Sequence, residues 1–139
     1  MVMRVLLQDK SSSLEALDSV RDLVKFELEP FIDTDELTID ITRCLSHTDC
    51  PIDQYQLIIS HPHTAEADNC CVPHICALHE KKIPVILTYK EYSNTDKINA
   101  IAQDLTLEIR LTAFGERRHV YAECIKAYLF PDTHKRAGQ

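Results

Sequence analysis

Histidine and cysteine side chains are concentrated in one short part of the chain, between positions 61 and 79. Imidazole and thiolate are the ligand types that zinc prefers, so their density is compatible with a structural or sensing metal site. The spacing does not specify one, because the segment contains no Cys-x-x-Cys or His-x-x-x-His pair. Thiols packed in a core and histidines on a helix surface are the more ordinary interpretation. We therefore expect no cofactor and keep zinc as the alternative, with these candidate ligands: His61, His63, Cys70, Cys71 and His74, followed by Cys76 and His79.

A nucleophilic enzyme site would require one of these cysteines to pair with one of these histidines. Such a pair is recognised by its geometry and needs a third group that orients the base, which this pattern does not specify. The chain holds only two glycines, so no glycine-rich loop can bring backbone amides up to a phosphate group. We expect a protein without catalytic activity.

His61 is distinguished by its place at the end of an apolar run, Leu57-Ile58-Ile59, that is typical of a buried strand. In an open parallel sheet, ligands and catalytic groups lie just beyond the carboxyl ends of the strands. An acidic, phosphate-accepting or metal-binding residue is expected at this junction. The chain has a histidine there.

Five strand-like segments alternate with helical ones along the chain. Three of them, around Leu6, Ile58 and Ile86, are continuously apolar, whereas 37–42 and 107–111 alternate between apolar and polar residues. Central strands of a parallel sheet are covered on both faces, and edge strands tolerate alternation. The pattern predicts an α/β fold, a flavodoxin-like (βα)5 doubly wound parallel sheet with strand order 2-1-3-4-5.

Helical periodicity fills the intervals between these strands. The first helix begins after Ser11-Ser12-Ser13, with Ser12 and Glu15 in the register of a capping box. Another is expected from about Pro73, a third from about Asn94 to Leu105, and the last over 116–129. One domain over 1–130 and a flexible tail over 131–139 are expected.

The bulk composition restricts the classes of partner. A net charge of −7 and a pI near 5.4 argue against nucleic-acid binding, which depends on Lys and Arg neutralising phosphates. No stretch approaches the roughly 20 apolar residues that a membrane span needs, and the amino terminus lacks a signal-peptide pattern. We expect a cytoplasmic protein with reduced thiols.

Three segments carry a resemblance to the receiver domains of two-component signalling. They are 4–10 (RVLLQDK), 56–62 (QLIISHP) and 83–88 (IPVILT), and the resemblance covers about residues 3–130. Receivers typically end the fourth strand on a Thr or Ser, and Thr88 matches that position. The resemblance implies a regulatory module that binds proteins.

The resemblance fails at the positions that carry receiver chemistry. Receivers hold Mg²⁺ with paired acids after the first strand, where this chain has Asp9 followed by Lys10. His61 replaces their phosphoryl-accepting Asp, and Leu111-Thr112-Ala113 replaces their Lys-Pro pair. The expected site is therefore a degenerate receiver pocket of Asp9, Lys10, His61 and Thr88. One hypothesis is that the Lys10 ammonium pairs with Asp9 and stands in for the cation. A Lys10 side chain that points to solvent at the strand end is the more ordinary interpretation.

Receivers commonly dock partners or dimerise through their fourth helix, fifth strand and fifth helix. The resemblance places this face at about 96–129. On the last helix the apolar arc is wider than one packed face requires, so part of it should be exposed. We expect a protein partner or a homodimer, contacted through Tyr121, Ile125 and Leu129.

Overall fold

The computed structural model describes residues 3–10, 12–45, 48, 51–61, 71–90, 96, 99, 100, 103, 108–112 and 117–129. Its strands are β1 (Met3–Asp9), β2 (Leu37–Thr42), β3 (Leu57–His61), β4 (Val85–Lys90) and β5 (Glu108–Thr112). All neighbouring strands are parallel, in the order β2-β1-β3-β4-β5. The predicted α/β class and the parallel order β2-β1-β3-β4 are thereby confirmed.

Three helices whose full ranges are among the described residues flank the sheet: α1 (Leu14–Leu28), α2 (Cys71–Glu80) and α3 (Arg117–Leu129). Alternate residues of each strand point to opposite faces, so Val5 and Leu7 pack with α1 and α3, whereas Leu6 packs on the α2 side. The sheet therefore lies between two apolar layers. No helix within the described residues is both long enough and apolar enough to cross a membrane.

The start of α1 differs by one residue from the prediction. Ser13 is the N-cap, because its side chain accepts a hydrogen bond from the amide of Ala16 at 3.1 Å. Ser12, the predicted cap, instead donates its hydroxyl to Asp9 Oδ2 at 2.9 Å. Consecutive serines offer the same capping chemistry, and the local hydrogen bond to Asp9 is what distinguishes Ser12 from Ser13.

The crossover from β2 to β3 departs from a regular (βα)5 pattern. Its described residues form a short 3₁₀ turn, Ile52–Gln54, and no α-helix. Leu45 and Tyr55 from this crossover are buried against the α2-side core, and Ile52 packs there partly buried. Loop side chains thus cover the part of the sheet that a helix would cover in the regular pattern.

Asp40 on β2 attaches this crossover to the sheet. Its Oδ2 atom accepts hydrogen bonds from the Tyr55 hydroxyl at 2.7 Å and from Arg4 Nε at 3.2 Å. The carboxylate is almost buried, at 9% exposure for the residue, and a buried charge is tolerated when it is paired and hydrogen-bonded. The two donors provide that pairing.

The helix predicted over Asn94–Leu105 falls largely outside the described residues. Asp96, Asn99, Ala100 and Gln103 are described, and all four are helical. The apolar positions of this predicted helix, Ile98, Ile101, Ala102 and Leu105, lie outside the described residues.

The end of α2 is a Schellman motif that places a lysine in the left-handed region. Lys82 has φ 62°, its amide donates to the His79 carbonyl at 3.0 Å, and the Ile83 amide donates to the Leu78 carbonyl at 3.1 Å. Glycine usually occupies this position, because a Cβ atom is disfavoured there.

Replacing Lys82 by glycine should stabilise the fold. Lys82→Gly removes the steric cost at positive φ and is expected to raise the free energy of unfolding by about 0.5–1 kcal/mol. Urea denaturation measures this change. Lys81→Gly is the matched control, since its φ is not positive, and it should lower stability. Destabilisation by Lys82→Gly would show that this backbone geometry is wrong.

Candidate functional site

Three of the four predicted pocket residues meet at the carboxyl edge of the sheet. Asp9 ends β1 and is the register partner of His61, which ends β3. Thr88 lies on the adjacent strand β4, one position beyond Leu87, the partner of Ser60. All three residues are buried, at 0%, 6% and 0% exposure for Asp9, His61 and Thr88. They form what we call the edge cluster.

Thr88 lies within hydrogen-bonding distance of both Ser60 and His61. Its Oγ1 atom lies 3.4 Å from the Ser60 carbonyl oxygen and 3.0 Å from His61 Nδ1. A hydroxyl has one hydrogen to donate, so a hydroxyl that donates to Ser60 accepts from His61. This arrangement predicts a hydrogen on His61 Nδ1, which the ring donates to Thr88.

Asp9 also takes part in a local hydrogen bond. Its Oδ2 atom accepts from Ser12, the residue two positions before α1. Lys10 is half-buried, and its backbone carbonyl accepts from Arg43 Nη2 at 2.9 Å. The expected ion pair between the Lys10 ammonium and Asp9 stays a prediction.

A second polar pair lies one residue earlier on the same strands and faces the α2 side. Ser60 donates its hydroxyl to Gln8 Oε1, and Gln8 Nε2 donates to the Arg43 carbonyl at 2.9 Å. Both side chains are fully buried. Gln8 and Ser60 were not among the predicted site residues. Their polar side chains, near the ends of two apolar strands, are the feature of the sequence from which they could have been predicted.

The proposed zinc ligands are only partly described. His61 is in the edge cluster, and His74 is half-buried on α2. His63, Cys70 and the side chain of Cys71 lie outside the described residues. Within the described part of the chain, no group of three or more His, Cys, Asp or Glu side chains is arranged to hold a metal ion.

Two of the three predicted interface residues are core residues, so the prediction of an exposed arc is wrong for them. Tyr121 and Ile125 are 1% and 0% exposed and pack in the core between the sheet and α1. Leu129 is half-buried against the same core, and Tyr128 is 40% exposed. The apolar arc of α3 is wide because the helix packs against both α1 and the sheet.

Comparison of the sequence with models of known protein families gives no match, and no curated protein matches the chain.

Proposed function

We propose that the chain is a non-catalytic regulatory module, a receiver-like domain that lacks the phosphoacceptor Asp and acts by binding another protein. In this proposal the fold is a flavodoxin-like variant of the (βα)5 arrangement, with strand order 2-1-3-4-5 and a loop crossover after β2. The observation that carries the proposal is the His61–Thr88 hydrogen bond at the carboxyl edge of the sheet.

The chemistry of the edge cluster supports this proposal. A phosphoryl group needs positive charge and donors arranged around its oxygens. Here the hydroxyl that would contact such a group already lies within hydrogen-bonding distance of the Ser60 carbonyl and His61 Nδ1. Asp9 has no second acid beside it in sequence, and an imidazole stands where an acceptor carboxylate is expected.

The partner is proposed to be a protein, either a second copy or another chain. The net charge of −7 disfavours nucleic acid as a partner. The face that receivers use would comprise the segment around Asp96–Gln103, β5 and α3. Since Tyr121 and Ile125 belong to the core, any such contact would be made through Tyr128 and the half-buried Leu129.

A phosphorylation assay tests the proposal. Incubation of the purified chain with acetyl phosphate and Mg²⁺ should leave its intact mass unchanged, because the acceptor carboxylate is replaced and the hydroxyl is engaged. A receiver domain with an intact acceptor Asp is the positive control. Stoichiometric addition of one phosphoryl group would contradict the proposal. A label that is labile in acid and stable in base would indicate a histidine such as His61 as the acceptor, whereas a label that is stable in acid and labile in base would indicate a carboxylate.

A further inference from the structure

Three large apolar side chains are exposed at the carboxyl end of α1 and just beyond it. Phe26 is 69% exposed, Phe31 52% and Leu23 40%. Leu23 and Phe26 are three residues apart and therefore neighbours on one side of the helix. We call these three residues the α1-end patch.

The core does not require the α1-end patch. The residues of α1 that face the sheet are Leu17, Val24 and Leu28, each with 0% exposure. At 100° per residue, Phe26 lies about 160° away from both Val24 and Leu28 around the helix axis. Its ring therefore points away from the sheet, and a contiguous exposed apolar patch tends to mark a binding site.

The α1-end patch is remote from the edge cluster. α1 begins near Asp9 at the carboxyl edge of the sheet and runs antiparallel to the strands. It ends at Leu28, so Phe31 follows near the opposite edge of the sheet. A ligand on this patch would not contact His61 or Thr88. Binding at the α1-end patch is thus independent of the function proposed above for the edge cluster.

The charges around the patch select the chemistry of its occupant. Asp22 and Glu29 are exposed and lie about 40° and 60° from Phe26 around the helix axis, whereas the half-buried Lys25 lies about 100° from it. These two carboxylates form the acidic rim of the patch, and Arg21 is already paired with Asp18 and Asp22. Lys126 of α3 lies over the Phe31 ring, with Nζ 4.4 Å from the ring centroid, so that ring already binds a cation. Phe26 offers a second aromatic ring, beside carboxylates that attract cations.

We propose that the α1-end patch docks a basic amphipathic helix of a partner protein, with apolar side chains on Leu23 and Phe26 and Lys or Arg side chains toward the acidic rim. A second copy of this chain is a poor occupant of this patch, because it would bring its own acidic rim against the same carboxylates, and like charges repel across an interface. A positively charged helix gains both the apolar contact and the charge complementarity.

Binding of a synthetic probe tests this proposal. The probe is a fluorescein-labelled peptide about 18 residues long, with Leu at three- and four-residue spacing and Lys on the remaining face, so that it can fold as an amphipathic helix. We expect saturable binding by fluorescence anisotropy, weakened by added salt because the charges are screened. The same peptide with Glu in place of every Lys should not bind.

Two matched variants locate the binding. Phe26→Ser should weaken the affinity for the lysine peptide by about tenfold or more, as expected for an exposed aromatic anchor. Leu14→Ser alters a leucine that is 55% exposed at the other end of the same helix, and it should leave the affinity unchanged. Circular dichroism of both variants should match that of the unmodified chain, because neither side chain is in the core.

Four outcomes would overturn the proposal. They are equal binding of the lysine and glutamate peptides, undiminished binding to Phe26→Ser, a dimer in light scattering that Phe26→Ser abolishes, and binding that occurs only after removal of residues 131–139. The third would show that a second copy occupies the patch. The fourth would show that the chain's own carboxyl-terminal segment, which carries Lys135 and Arg136, occupies it.

Discussion

Tyr121→Ala is expected to lower the free energy of unfolding by about 3–5 kcal/mol, the usual cost of truncating a buried aromatic residue. Tyr121 is 1% exposed and is among the largest fully buried side chains of the described core. Its ring fills space between α3, α1 and the sheet. The cavity left by truncation cannot collapse fully, because the surrounding core is close-packed.

Tyr128→Ala is the matched control on the same helix. Tyr128 is 40% exposed, so its truncation should change the free energy of unfolding by no more than about 0.5 kcal/mol. Urea denaturation of the two variants, followed by circular dichroism, gives both values. Equal effects would contradict the placement of Tyr121 in the core and restore it as an interface candidate.

Asp40→Ala is expected to destabilise the chain by about 2–3 kcal/mol, because it leaves the buried Tyr55 hydroxyl without its acceptor. The same carboxylate oxygen also accepts from Arg4. The substitution thus removes a side-chain hydrogen bond between the crossover and β2 and an ion pair between β1 and β2. Asp53→Ala, at an exposed position of the same crossover, should have little effect.

A double-mutant cycle isolates the Asp40–Tyr55 contact. Tyr55→Phe removes the donor, so Asp40→Ala should cost less in the Tyr55→Phe background than in the unmodified chain. Additive costs of the two substitutions would show that the side chains do not interact. The free energies of unfolding of all four proteins provide the measurement.

The pattern of apolar and polar residues in the strands allowed the order of the first four strands to be predicted. The structure of the crossover after β2 could not be predicted from the sequence. The continuous apolar runs of β1, β3 and β4 marked them as covered on both faces, and β2 alternated as an edge strand does. The crossover was different, because Leu45, Ile52 and Tyr55 are too widely spaced to form a periodic pattern. Their burial depends on tertiary packing against the α2-side core, to which Tyr55 adds its hydrogen bond to Asp40.

Individual side chains of the candidate site were predictable only where their strand position was decisive. Asp9, His61 and Thr88 each lie at or near the carboxyl end of a strand, so topology alone brings them together. Ser12 was predicted as the cap of α1 in place of Ser13. Adjacent serines have the same capping chemistry and differ only in the groups near them, here Asp9 beside Ser12. Tyr121 was misplaced because the sequence does not show that α1 packs against α3.

The NMR spectrum of the His61 imidazole is the most direct test of the edge cluster, which carries the proposed function. Nitrogen-15 correlation spectra, recorded at a pH where the ring is neutral, identify which ring nitrogen carries the hydrogen. We expect a protonated Nδ1 that donates to Thr88, with resonances unchanged when acetyl phosphate and Mg²⁺ are added. An unprotonated Nδ1 in the neutral ring, or a new set of His61 resonances on adding the phosphodonor, would contradict this expectation.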